Sequence, residues 1–189
     1  MKMNRSIILT AGHSDGSGPY KDRGCQSYDG RLFEGNLTIE LRDMVSKRLK
    51  EKGHTVYTDS NKNPLAQAMQ ELKGFFNINS LNVDIHFNAG HISAEGTECL
   101  VKDKPDAYVK KVAEVLSQKI SMAMETKNRG VKTESMSARK RLGWMRMTGN
   151  NIIIEICFLS NKMDVHKYEQ KKVQVAEAIA EVLSYYARV

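Results

Sequence analysis

Three cysteines, three prolines and one tryptophan are all that 189 residues contain of those types. Cys25, Cys99 and Cys157 are odd in number and irregular in spacing, which argues against a disulfide framework and for synthesis in a reducing compartment. They read as packed or idle thiols. No Pro-rich linker, low-complexity tract or internal repeat interrupts the chain. No apolar run is long enough to span a bilayer, so a membrane-embedded protein is not expected. The N-terminal Met1-Lys2-Met3-Asn4-Arg5 is basic, but Ile7-Ile8-Leu9 behind it is too short for a signal-peptide core and runs into a polar, Gly-rich loop. The expectation is cytoplasmic synthesis without a signal peptide. Acidic residues are also in deficit: 22 Asp+Glu against 29 Lys+Arg leave a net charge of +7. Such an excess favours an anionic partner, whether nucleic acid, membrane surface or wall polymer. No nucleic-acid motif accompanies it, so nucleic acid is not expected as a partner. Lys110-Lys111, Arg139-Lys140-Arg141 and Lys171-Lys172 fall in expected helices and read as solvated faces.

What the chain does have is the ordinary composition of a globular fold, 41% hydrophobic and 27% charged, in a length that fits a single domain over 1–189. Residues 6–10 form a compact apolar strand, and the polar loop over 12–31 that follows is long enough to be the wall of a site. Over 34–52 the apolar positions Leu37, Leu41, Met44, Val45 and Leu49 recur at helical spacing, and Gly53 ends the run. Further strands are predicted at 54–58, 83–87, 96–102 and 152–156, the fourth of these set as a buried strand and the third as a possible edge. Helices are predicted over 64–76, from Pro105 through Ile120, and over 173–186. Strand and helix alternate, which predicts an α/β fold: a mainly parallel twisted sheet with helices on both faces.

In open sheets of this class the C-terminal ends of the strands converge on one crevice. Ala11-Gly12-His13, Asp84-Ile85-His86 and Ile153-Ile154-Glu155 each place a metal-capable or proton-capable side chain at such an end, and Glu34 opens the first long helix. Cutting an amide in water requires a polarised carbonyl, a nucleophile available near neutral pH, and a proton for the departing amine. Two imidazoles and one carboxylate can hold a single zinc ion that remains a Lewis acid, while a second carboxylate moves the proton. His13, Glu34 and His86 are the candidate ligands, and Glu155 is the candidate base and acid. A carboxylate inside an apolar run is costly unless a site requires it. Each residue also has a plainer reading: His13 and His86 could serve local hydrogen bonding, and a glutamate is favoured at any helix start. Glu40 is a rival carboxylate further along the same helix. His54 and His166 read as structural or solvated, His91 as a loop residue near the mouth of the site, and Glu98 as a surface charge or groove residue.

These pieces, in this order, make the chain resemble the zinc-dependent N-acetylmuramoyl-L-alanine amidases of the Amidase_3 type, found among wall-remodelling enzymes and phage endolysins. The resemblance is carried by Ala11-Gly12-His13, Glu34-Gly35-Asn36-Leu37, Ile85-His86-Phe87-Asn88-Ala89, Gly96-Thr97-Glu98, Arg129-Gly130-Val131-Lys132, and Glu155 with Phe158-Leu159-Ser160-Asn161 and Asp164. It implies one Zn2+ on His13, Glu34 and His86, catalysis by Glu155, and peptidoglycan as partner. Asn88, His91, Glu98 and Arg129 become candidate substrate contacts, with the loop over 14–31 and the segment 88–95 lining the groove. The implied reaction is hydrolysis of the amide between N-acetylmuramic acid and L-alanine of the stem peptide. Action on the wall would follow release from the cytoplasm, and no separate wall-binding module is expected. Ser14 stands where the family commonly has Gly, and Asp84 where it commonly has Ser. Ile156-Cys157 replaces a smaller pair, so the groove beside Glu155 is expected to differ; strand alternation would put Cys157 on the same side as Glu155. Alternatives are a zinc peptidase cutting within the stem peptide, a silent wall-binding protein of the same fold, or a cysteine amidase using Cys25.

Overall fold

The computed structural model describes residues 4–189, so the first three residues of the basic N-terminus lie outside it. In chain order the elements are β1 (Ile7–Ala11), α1 (Glu34–Glu51), β2 (Val56–Thr58), α2 (Leu65–Glu71), β3 (Leu81–Asn88), β4 (Thr97–Val101), α3 (Ala107–Met124), β5 (Asn128–Thr133), β6 (Asn150–Phe158) and α4 (Lys162–Tyr186). Two short 3-10 turns, Glu134–Met136 and Gly143–Arg146, lie between β5 and β6. The six strands are ordered β2-β1-β3-β6-β4-β5. β2, β1, β3 and β6 run parallel, whereas β4 is antiparallel to β6 and parallel to β5. The fold is therefore α/β with a mainly parallel sheet, as the alternation predicts.

Strand alternation divides the sheet into two faces. Ile7, Leu9, Val83, Ile85, Cys99, Val101, Ile152 and Ile154 pack into the larger core with the apolar stripes of α1, α3 and α4. The intervening Ile8, Leu100 and Ile153 meet Trp144, Met145 and Leu72, with Leu65 and Met69 of α2 packed against them. That second cover stops short of the C-terminal ends of β3 and β6, where the same face carries His86, Glu155 and, from the N-terminal end of antiparallel β4, Glu98. The register sets these three in a row, His86 opposite Glu155 and Glu155 opposite Glu98.

Four sequence expectations need correction. The strand at 97–101 is not an edge: it lies between β6 and β5, and β5, for which no strand was predicted, is the edge. The second helix ends at Glu71 and the last begins at Lys162, where Asn161 accepts from the N–H groups of Met163 and Asp164. A strong cap starts that helix well before its apolar period becomes visible. Arg139-Lys140-Arg141 lies in a turn between the two 3-10 segments rather than in a helix. The fourth correction concerns β6. Its register with β3 passes from His86↔Glu155 to Asn88↔Phe158, so Ile156 and Cys157 together face Phe87 across a bulge. Both join the core beneath the helices, and Phe158 is returned to the groove. Cys157 therefore lies on the opposite face from Glu155, and the Ile156-Cys157 pair does not shape the groove.

Candidate active site

The site begins with how α1 is started. No side chain caps this helix; its first N–H groups, those of Glu34 and Gly35, donate to the carbonyls of Cys25 and Arg23 in the long loop. The loop is closed on itself by Ser14, whose N–H and Oγ both donate to Asp22 O, at 2.8 and 2.9 Å. Thus the loop fixes the position of Glu34 and brings Asp22 beside His13. Glu34 Oε2 accepts from the Cys25 N–H at 3.0 Å and Oε1 from the Phe87 N–H at 3.0 Å, which leaves the carboxylate aimed between two imidazoles.

His13 Nε2 lies 3.3 Å from Glu34 Oε2, and His86 Nδ1 lies 3.1 Å from Glu34 Oε1. One donor atom from each of the three residues falls within 4.8 Å of the others. The far nitrogens are also engaged: His13 Nδ1 donates to Asp22 Oδ1 at 2.8 Å, and His86 Nε2 to Asp84 Oδ2 at 2.8 Å. With these outer nitrogens donating, each ring in its neutral form keeps its lone pair turned inward, the arrangement that metal-binding histidines require. Asp84 is itself buried and accepts from Thr10 Oγ1 at 2.7 Å. Burial opposes charge on both rings, yet Glu34 raises the His13 pKa, and Asp84 with Glu34 raises that of His86 well above the usual value. Glu34, although buried, is held far below the usual carboxylate range by the two imidazoles. A field of this kind favours positive charge between the rings, and a divalent cation with N and O ligands fits it.

Two glycines make room. A Cβ on Gly12 would stand 2.1 Å from the His86 ring, and one on Gly24, at φ +68°, would stand 2.5 Å from Glu34 Oε2. Neither position can carry a side chain without displacing a candidate ligand.

Next to His86 in the sheet sits Glu155, half-buried at the groove; its Oε2 is buried and has no hydrogen-bond partner among the described residues. Burial, with Glu34, Glu98 and Asp84 adding negative charge, pushes its carboxyl up to about 7 against the pull of His86. A carboxyl poised there is suited to accept and return a proton near neutral pH. The ligand set and Glu155 open into a groove of about 520 Å³, whose far wall is formed by Arg129, Lys132 and the turn 136–143.

The Amidase_3 profile, described as N-acetylmuramoyl-L-alanine amidase, matches residues 7–185. The chain belongs to the Amidase_3 family. Among curated proteins this Amidase_3 chain is similar to YqiI of Bacillus subtilis (strain 168), at 26% identity over 187 residues, 96% of this chain and 85% of that one. Among solved structures it is similar to the catalytic domain of CwlV, an N-acetylmuramoyl-L-alanine amidase from Bacillus (Paenibacillus) polymyxa var. colistinus: TM-score 0.75, 22% identity, 96% of this chain and 97% of that one. It is likewise similar to the N-acetylmuramoyl-L-alanine amidase AmiC2 of Nostoc punctiforme, with TM-score 0.76, 21% identity and 98% of each chain covered. At these identities the two structural matches speak for the fold.

Within this Amidase_3 chain the structure brings His13, Glu34, His86 and Glu155 together and sets Asn88, Glu98 and Arg129 on the same groove. Asn88 Nδ2 donates to Glu98 Oε1 at 3.1 Å, while Glu98 Oε2 pairs with Arg129 and, at 2.7 Å, with Lys132. His91 is not among the groove-lining residues; it is exposed, with Nδ1 2.8 Å from Ser93 Oγ. Glu40 pairs with Lys172, and His54 Nε2 lies 2.8 Å from Ser184 Oγ, so neither takes part in the site. Sequence reasoning missed Asp22 and Asp84 as partners of the imidazoles. Asp84 carried a signal, since an acid two residues before a histidine on one strand shares its face. Asp22 carried none, because its approach depends on how the loop closes. No helix among the described residues is long and apolar enough to cross a membrane.

Proposed function

We propose that this chain cleaves the amide between N-acetylmuramic acid and the L-alanine of the peptidoglycan stem peptide, as a zinc-dependent amidase acting at the cell wall. The observation that carries the reading is the convergence of His13, Glu34 and His86 within 4.8 Å beside Glu155, whose buried Oε2 has no partner among the described residues. His13 would contribute Nε2, His86 Nδ1, and Glu34 a carboxylate whose oxygens the Cys25 and Phe87 N–H groups orient. A zinc ion bound by these three supplies a Lewis acid for the scissile carbonyl and makes water acidic enough to react near neutral pH.

The remaining work falls to the chain. Glu155 takes the proton from the attacking water and returns it to the nitrogen that leaves as the new N-terminus of the peptide. Its carboxyl, raised to about 7 by burial and the acids around it, suits a group that both accepts and returns a proton near neutral pH. Asp22 and Asp84 keep the imidazoles turned inward during turnover. Asn88 and the Arg129 side of the groove position the substrate. The Cys25 thiol also lines the groove, but burial and the nearby Glu34 and Glu155 push its pKa upward, the reverse of what a nucleophilic thiolate needs.

The test is mass spectrometry of the fragments released from purified peptidoglycan by the zinc-loaded protein, with Glu155→Ala as the blank. Intact stem peptides beginning in free alanine, absent from the blank, support the reading. Shortened peptides would instead make the chain a stem-peptide peptidase. No release from several wall types would make it a silent binding protein.

A further inference from the structure

The far wall of the groove carries four cations, and they are not equivalent. Arg129 and Lys132 project from β5, and both are held by the one carboxylate of Glu98, so their positions are fixed by an acid within the fold. Arg139 and Arg141 also line the groove but have no acidic partner among the described residues. Their turn is fastened from below. Buried Glu134 pairs with Arg146 and accepts from the Leu142 N–H at 3.0 Å, while Ser137 Oγ donates to Glu134 O and accepts from the Lys140 N–H. Lys140, between the two arginines, adopts φ 58° and does not line the groove.

We propose that Arg139 and Arg141 form a subsite for the free carboxylates of the stem peptide, and that they select peptides whose carboxylates are not amidated. The inference rests on the amidase reading above and names its substrate class more closely. The sugar half of the substrate presents neutral hydroxyl and acetamido groups, which have no use for two unpaired guanidinium groups. The peptide half carries carboxylates, which guanidinium groups bind through paired, charge-assisted hydrogen bonds. Placement agrees. Arg139 and Arg141 line the same groove as Glu155, so a stem peptide laid along the groove from the scissile amide meets them.

The experiment uses the zinc-loaded full chain and two synthetic muramoyl tripeptides that differ only in whether the peptide carboxylates are free or amidated. The wild type should cleave the free form with kcat/KM at least tenfold higher, with most of the difference in KM. In Arg139→Gln/Arg141→Gln the preference should fall below threefold, with zinc content and Tm as in the wild type. Equal rates for the two substrates with wild type, or a preference that survives in the double variant, would overturn the proposal. Calorimetric binding of the corresponding free and amidated tripeptides, which needs no turnover, separates the two levels of inference. Carboxylate-dependent binding without cleavage leaves the subsite standing and removes the amidase reading; cleavage without carboxylate dependence does the reverse.

Discussion

The two walls of the groove use charge in opposite ways. On the β1–β3 side every charged group has an assigned partner: Asp22 for His13, Asp84 for His86, and Glu34 between the two rings with backbone N–H groups on both oxygens. On the β5 side one carboxylate, Glu98, serves two cations, and two further arginines on the groove have no acidic partner among the described residues. The first arrangement is closed and suited to one small cation in one geometry. The second is open and suited to anionic groups whose positions vary with the substrate. Glu155 lies between them on β6, where the proposed proton transfers would occur.

The largest effects should come from the closed side and the base. On the proposed reading Glu155→Gln removes the proton carrier without touching a ligand, so kcat should fall by ~10²–10⁴ with zinc content unchanged. His13→Ala should lose the metal itself, as read by elemental analysis after gel filtration. If Glu155→Gln lost zinc as readily as His13→Ala, the division between ligand set and base would collapse. A smaller change is expected one layer out. Asp84→Asn leaves all three ligands but weakens the hold on the His86 ring, and zinc affinity should fall by about 10–100-fold. An unchanged affinity in a chelator competition would show that Thr10 and the sheet alone orient that ring.

How much of this was legible beforehand differs by type of interaction. The four candidate site residues stand at strand ends or a helix start, positions that periodicity can locate, and the sheet class follows from the same alternation. Contacts that depend on loop closure were not legible: Asp22 reaches His13 only because Ser14 binds its carbonyl. Nor was the edge order. β4 is buried along its whole length with β6 and β5 on its two edges, but β5 is mostly half-buried and carries Arg129, Gly130 and Lys132, too polar and too irregular to show a period of two. The bulge at Ile156 and Cys157 defeats alternation altogether, since one extra residue exchanges the faces of everything beyond it.

Stability against pH should divide the same two regions, with opposite signs. Asp59, on the β1 side, accepts from the Ala11 N–H and from Arg42, yet burial raises its pKa from 3.8 to about 6. Between those values the folded state holds the proton more tightly than the unfolded chain, so this residue lowers stability as pH rises through the window and has no further effect above it. The gap is worth no more than about 3 kcal/mol. Glu98, on the β5 side, is buried, but Lys132 and Arg129 hold its pKa below 4.5. Its contribution is present above that value and lost as pH falls through the lower, folded pKa. Thermal melts from pH 3 to 7 should therefore show Tm differences from wild type that move in opposite directions for Asp59→Asn and Glu98→Gln. Parallel curves would mean that burial, not local pairing, governs both.

The smallest effect tests the bulge. Were β6 regular, Cys157 would sit beside Glu155, and removing its sulfur would disturb the proton carrier. With two residues opposite Phe87, its sulfur instead points into the core, 3.9 Å from Asp164 O, fully buried and with its pKa raised by that burial. Cys157→Ala should cost about 1–2 kcal/mol through lost packing, a Tm fall of a few degrees. At temperatures well below the transition kcat should stay within about twofold of wild type, and zinc content should not change. A tenfold loss of kcat at unchanged Tm would return the thiol to the groove face. That single result would also reassign Phe158, because the bulge that turns Cys157 into the core turns Phe158 to the groove face.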